Sequence, residues 1–374
     1  MLPNGNIERN SVARTAPTSY RPGVFTITLH DPTQDSPEEL AQRVAYTNLL
    51  RREVLPDDPP LTVEVVAAAL AAQPDRIHTY AFRLKDADGT LVGNATTSVD
   101  ADERDNPDIL AAGINLLPAH RRQGHGARLL AELVALADDL GKTRIVGDTF
   151  EGVDAGAAFA EAVGATVRQA NHINHLPLAE VDRPMLERWV AEAAERSADY
   201  ELIGWDGPVP DEHVADWLDL VLVMNTAPHD DLEVNDFTFT EEQLRDAERV
   251  GAAVKQEDWV LVARHRATGE WAGFHNVGWV PDQPQFVHVG ATGVMPEHRG
   301  LALGKWLKAE MTLRILDERA EATHVRTGNA DSNDAMLGIN RLMGYRPLLG
   351  QTTWELPVEA ATAWLRARGL AIPG

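Results

Sequence analysis

Two short runs carry the residues best suited to chemistry, Arg121-Arg-Gln-Gly-His-Gly126 and Arg299-Gly-Leu-Ala-Leu-Gly304. Each stands where a strand pattern gives way to an amphipathic helix. Small residues let the backbone curl around an anion, and at a helix N-terminus several N–H groups converge where the dipole also favours negative charge. That is the chemistry of pyrophosphate binding. A plain strand-to-helix turn with glycine at positive φ would use the same residues. Two other nucleotide sites are excluded. Gly300 to Lys305 has one residue too few between its glycines for a phosphate-binding P-loop, and Trp306 stands where Ser or Thr would bind magnesium. No Gly-x-Gly-x-x-Gly opens a βαβ unit, which argues against a dinucleotide site. His172 and His175 have no carboxylate or Cys partner at ligand spacing, so no metal site is expected.

Composition narrows the classes further. The chain has 374 residues, 57 acidic against 34 basic, for a formal charge of −23. Nucleic acids and anionic membranes select positive surfaces, so neither is an expected partner. A cationic small molecule fits better. The absence of cysteine excludes disulfides, thiol nucleophiles and iron–sulfur clusters. The longest apolar run, Val65 to Ala72, is far short of a membrane span, and nothing at the start reads as a secretory signal; the expectation is a cytoplasmic protein.

The elements that must position these runs occur twice. Pro118, His120, Arg121 and Gly126 match Pro296, His298, Arg299 and Gly304 at a constant offset of 299 − 121 = 178. A hairpin precedes each block, turning at Asp86-Ala-Asp-Gly89 and at Ala267-Thr-Gly-Glu270. A helix follows each, with Leu129, Leu133, Leu136 and Leu140 on one face in the first copy and Leu307, Met311 and Ile315 in the second. Two copies of one α/β domain are the economical reading. The expected division is a flexible arm over 1–20, a first domain over 21–180, a helical linker over 181–198 and a second domain over 199–374. All nine tryptophans, Trp189 to Trp364, then fall at or beyond the linker. Oligomeric state is open between monomer and homodimer.

The repeated order of apolar-x-Pro, Arg-x-x-Gly/Ala-x-Gly/Ala and amphipathic helix resembles the acetyl-CoA-binding signature of the Gcn5-related N-acetyltransferases (GNATs). The first copy has Arg121, Gly124 and Gly126; the second has Arg299, Ala302 and Gly304. In the second copy the resemblance runs on through Asn329-Ala-Asp-Ser-Asn333 to Gly344-Tyr345. It implies a tandem GNAT chain, each copy a mixed, mostly antiparallel sheet that splays open and is flanked by helices. It also implies acetyl transfer from acetyl-CoA to a primary amine in a ternary complex. On that pattern backbone N–H groups around Val294 and Met295 hold pantetheine and the thioester carbonyl, with Leu116 at the matching place in copy one. Arg299, Gly300, Ala302 and Gly304 hold the pyrophosphate, as do Arg121, Arg122, Gly124 and Gly126 in the first copy. Asn333 reaches the pantetheine arm, and Asn329 belongs with the cofactor-binding residues.

One departure matters. Four residues before Gly344, where many members place a thiolate-protonating Tyr, this chain has Asn340; the first copy has Ala160 and no Asn opening its helix. The second copy is therefore expected to catalyse, with Asn340 near the sulfur, while the first binds CoA or serves as scaffold. The arrangement resembles mycothiol synthase. In this family the loop between the first two helices lines the acceptor site. Here it carries Asp230, Asp231, Glu233 and Asp236, suited to a small cationic amine, with His229, Glu233 and His288 as candidate bases. The rival reading is a non-catalytic acyl-CoA-binding or self-resistance module.

Overall fold

Helix starts follow local chemistry. Ser36 and Glu39 form a reciprocal capping box ahead of Pro37 to open α1 (Pro37–Val54), and Thr62 caps α2 (Val63–Ala71). The computed structural model describes residues 18–20 and 25–374. Most of the expected N-terminal arm therefore lies outside the described residues, while Thr18–Tyr20 forms β1, paired with β2 (Phe25–His30).

The chain forms two units, Met1–Arg168 with Thr352–Gly374, and Gln169–Gln351. The first continues through β3 (Ile77–Lys85), β4 (Leu91–Asp100), β5 (Ile109–Leu116), α3 (His125–Asp139), β6 (Arg144–Phe150) and α4 (Asp154–Val163). β7 (Thr166–Pro177) leads into the second, which holds α5 (Arg183–Arg196), β8 (Tyr200–Asp206), α6 (Val214–Val221), α7 (Glu241–Ala253), β9 (Glu257–His265), β10 (Trp271–Trp279), β11 (Phe286–Val294), α8 (Leu303–Glu318), β12 (His324–Ala330) and α9 (Asp334–Met343). β13 (Arg346–Pro357) returns the chain to the first unit, which α10 (Val358–Ala367) completes.

This division corrects the contiguous boundaries at 180 and 199. The segment read as a linker is mostly α5, packed on α8 inside the second unit. The C-terminal residues belong to the first. Leu356, Val358, Ala361 and Leu365 are buried there with Leu129, Leu133 and Leu136 of α3. Glu355 pairs with Arg144 and Arg168, and Trp354 Nε1 donates to Thr149 Oγ1 at 2.8 Å. The first unit thus contains Trp354 and Trp364, against the expectation that it has no tryptophan.

Each unit has a mixed, mostly antiparallel sheet, ordered β1-β2-β3-β4-β5-β6 in the first and β7-β12-β11-β10-β9-β8 in the second. The parallel pairs are short. β5 meets β6 only from Ile109↔Arg144 to Ala111↔Val146, and β11 meets β12 only from Phe286↔His324 to His288↔Arg326. β5 stays paired with β4 out to Leu116, and β11 with β10 out to Val294. The outer halves of β5 and β11 therefore leave their parallel partners, and a wedge opens on one edge of each.

Candidate active site

The loop entering α3 and the loop entering α8 share one backbone conformation. Positive φ occurs at Arg122 (60°) and Gly124 (83°) in the first and at Gly300 (81°) and Ala302 (63°) in the second. The positions match at the offset of 178, and each loop keeps one non-glycine residue in the left-handed region at a cost of about 1 kcal/mol. Left-handed residues two apart at the start of a helix can turn the loop N–H groups toward one concavity, the geometry of an anion nest.

The arginines opening the two runs brace these loops. Arg121 gives Nε to the Leu116 carbonyl (3.0 Å) and both terminal nitrogens to Glu53 of α1 (2.5 Å each). Arg299 gives Nε to the Val294 carbonyl (3.0 Å) and Nη2 to Thr226 Oγ1 (2.6 Å). Both arginines are thus engaged in holding the start of their loops. His125 also turns inward, buried against Phe25 with ring centroids 4.4 Å apart.

The expectation for Met295 is corrected. Its N–H donates to the Ala272 carbonyl (2.9 Å), as that of Leu117 does to Val92 (3.0 Å). In an antiparallel ladder consecutive N–H groups face opposite edges, so Val294 and Leu116 are left to present theirs to the wedge. In the first unit the wedge is an open crevice of about 420 Å³, lined among others by Thr97, Gly113, Asn115, Gly147, Asp148 and Phe150. The Thr97 hydroxyl is buried and has no partner among the described residues. A Cβ at Gly147 would stand 2.4 Å from the Ala112 carbonyl, so only glycine fits where the strands part.

Comparison with known proteins bears on both units. The family model "Acetyltransferase (GNAT) family" matches residues 44–165. The first unit carries a GNAT-family domain. None of the curated proteins matches the chain in sequence. Among solved structures, a tandem GNAT protein from the clavulanic acid biosynthesis pathway is 22% identical, covering 89% of this chain and 98% of its own, with a TM-score of 0.70. A GCN5-related N-acetyltransferase from Sphaerobacter thermophilus is 12% identical over 89% of this chain and 96% of its own, at 0.61. A glucosamine N-acetyltransferase region of a fungal multi-domain β-N-acetylglucosaminidase is 14% identical, at 0.59, covering 90% of this chain and 38% of that one. At these identities the likeness gives the fold, a GNAT fold in tandem.

In the second GNAT-fold unit the helix and strand beside the wedge carry amides. Asn340 is buried; its Nδ2 donates to Asn329 Oδ1 (2.8 Å), and its own Oδ1 has no partner among the described residues. Asn333 is the N-cap of α9, its Oδ1 accepting from Met336 N–H (3.2 Å), so it supports the helix rather than reaching outward through that oxygen. Gly304 begins α8 with space beside it: a Cβ there would meet Ile339 and Val294 at ordinary contact, 3.7 Å.

His288 is exposed on the last paired rung of β11, and Glu233, Asp230, Asp231 and Asp236 lie exposed in the segment between α6 and α7. His172 Nδ1 lies 2.6 Å from Asp331, and His175 stacks on His324. Ligand atoms of Glu270, Glu297 and His298 fall within 4.8 Å of one another beside the α8 loop; the two Glu are exposed.

Sequence reasoning missed a buried polar group in this unit. His275 Nδ1 is 2.7 Å from Thr292 Oγ1, and Lys308 and Thr312 are buried residues of α8. Burial first, then the Lys308 charge, hold His275 well below the usual imidazole range; burial lowers Lys308 to about 8. Ladder register and loop offset match His275, Thr292, Lys308 and Thr312 to Ala95, Ile114, Leu130 and Val134 of the first unit, which pack its core. A lysine interrupting the apolar face of Leu307, Met311 and Ile315 was the available signal.

Proposed function

We propose that the chain is an acyl-CoA-dependent N-acetyltransferase that moves an acetyl group from acetyl-CoA to a primary amine of a small molecule, by direct attack within a ternary complex in the second unit. The observation that carries this reading is the pair of matched anion nests. Sequence drift has moved the glycine from one left-handed position to the other, yet the backbone shape is kept in both copies. A strained conformation retained twice is what pyrophosphate recognition asks for.

On this reading the α8 nest takes the pyrophosphate and the Val294 N–H takes an amide or the thioester carbonyl. Polarising that carbonyl stabilises the oxyanion as the neutral amine attacks. The acidic segment between α6 and α7 draws in a cationic acceptor, whose proton must leave before attack. The unpartnered Asn340 Oδ1 accepts from the pantetheine arm near sulfur. The second unit is favoured for chemistry because its wedge side carries Asn340, Thr292, His275 and Lys308 where the first has Ala160, Ile114, Ala95 and Leu130. The first unit, with its open crevice and intact nest, is read as a CoA-binding copy without the transfer step.

The test follows free thiol release from acetyl-CoA across a panel of small amines, with Gly304→Val blocking the second nest and Gly126→Val the first. Amine-dependent release lost only in Gly304→Val supports the assignment. Release lost only in Gly126→Val moves the chemistry to the first unit. Binding of acetyl-CoA by calorimetry with no release for any amine favours the non-catalytic module, a reading to which the amide at Asn340 lends weight.

A further inference from the structure

Lys308 is the most deeply buried charge of the second unit, about 1% exposed, and among the described residues no carboxylate pairs with it. From β10 it faces His275, whose Nδ1 lies 2.7 Å from Thr292 Oγ1 of β11; next to α9 it meets the Tyr345 ring, with Nζ 5.2 Å from the ring centroid. Burial alone accounts for its weakened hold on a proton, and no carboxylate offsets that cost. Structure does not require an amine here. The matching Leu130 fills the same place in the first unit with an apolar side chain. A buried ammonium without a counter-ion is expensive unless an anion arrives to share the site.

Three features say which anion. Lys308 lies one turn beyond Gly304, on the helix that the nest opens. Thr292 is on the splayed part of β11, two residues before the Val294 N–H that faces the wedge. Asn340 stands where the family resemblance places a protonating phenol, and an amide supplies no proton. We propose that Lys308 supplies the positive charge and the proton that the leaving CoA thiolate needs in the second unit. This rests on the acyltransferase reading above. The acceptor nitrogen forms its bond to the thioester carbonyl carbon, and the acceptor's proton passes to water. The C–S bond then breaks with its electron pair on sulfur. That sulfur pairs with the Lys308 ammonium, takes a proton from Nζ, and Lys308 regains one from solvent.

The experiment is an ultraviolet titration of the CoA thiol, following thiolate absorbance for CoA bound to the parent and to Lys308→Leu, the residue found in the sister unit. Any CoA held by the first unit contributes equally to both, so their difference reports on the second. With the parent, part of the bound thiol ionises about one pH unit or more below free CoA, because an adjacent ammonium favours the thiolate. Lys308→Leu abolishes that component, retains CoA binding by calorimetry, and lowers kcat about tenfold or more, with loss of the alkaline limb of the pH profile. Lys308→Met, which keeps length without charge, gives the same result and guards against misfolding of the first variant. Identical thiol titrations in parent and variants, with CoA bound, overturn the proposal. Absence of CoA binding to the parent overturns the acyltransferase reading, and the proposal with it.

Discussion

Arg121 and Glu53 are 68 residues apart and meet through two hydrogen bonds of 2.5 Å, fastening the start of one nest to the end of α1. The second unit makes the same brace with Arg299 and a neutral partner, Thr226. The brace fixes where the loop N–H groups point, so its loss should affect anion binding as well as stability. Glu53→Gln keeps the size and removes the charge. It should cost about 1–2 kcal/mol of stability and weaken acetyl-CoA binding at the first unit several-fold, read by thermal unfolding and calorimetry.

Relief of backbone strain gives a second expectation. Ala302→Gly should stabilise the second unit by about 0.5–1 kcal/mol, since glycine accepts φ near 63° without penalty. Gly124→Ala should lower stability by about 1 kcal/mol through strain alone, because no atom lies within 4 Å of the added Cβ. Denaturant unfolding of each variant checks the signs. A destabilised Ala302→Gly would show that Ala302 is not under strain.

The first unit should be acid-sensitive through Glu355. Burial pushes its carboxyl up, but hydrogen bonds from Arg168 and Arg144 outweigh that and hold it below its ordinary value. A carboxylate with a lowered folded pKa contributes stability above its unfolded pKa, and that contribution is lost as pH falls through the folded value. Stability should therefore drop below about pH 4.5. Glu355→Gln should be weaker at neutral pH and should show a shallower fall in acid, measured by urea titrations at several pH values.

Lys308 has the opposite sign. A base whose pKa falls to about 8 on folding makes the unfolded chain bind more protons between that value and its ordinary 10.5. Stability then rises with pH across that window. Lys308→Met should stabilise the second unit at neutral pH, by up to about 3 kcal/mol, and the gain should shrink toward pH 10.5. Equal effects of the substitution at pH 7 and pH 10 would contradict the burial of a charge there.

Removal of residues 352–374 should unfold the first unit, since Leu356, Val358, Ala361 and Leu365 are part of its core. Leu365→Ala alone should cost about 2–5 kcal/mol. Fluorescence of Trp354 and Trp364 would report the Leu365→Ala effect, while the truncation, which removes both, is followed by hydrogen exchange; an unchanged exchange pattern in β4 to β6 after it would contradict the assignment.

Local signals settled much of this beforehand. The 178-residue repeat, the two hairpin turns and the glycines that open α3 and α8 rest on local sequence patterns, and each appears in the fold where its pattern indicates. Side-chain partners were another matter. The resemblance implied a pyrophosphate role for Arg121 and Arg299, but that they also hold Glu53, Thr226 and two carbonyls brought near by packing is visible only in the fold. Met295 lost its place because strand alternation, invisible without the register, turns its N–H toward Ala272. The boundaries failed for a related reason. An apolar face such as that of α10 says that it must be buried and not against which core, and contiguity in sequence carries no weight once the chain can return through β13. The tertiary structure alone decided that the C-terminal strand and helix complete the first unit, and that Lys308 lies in the interior of the second with no carboxylate paired to it among the described residues.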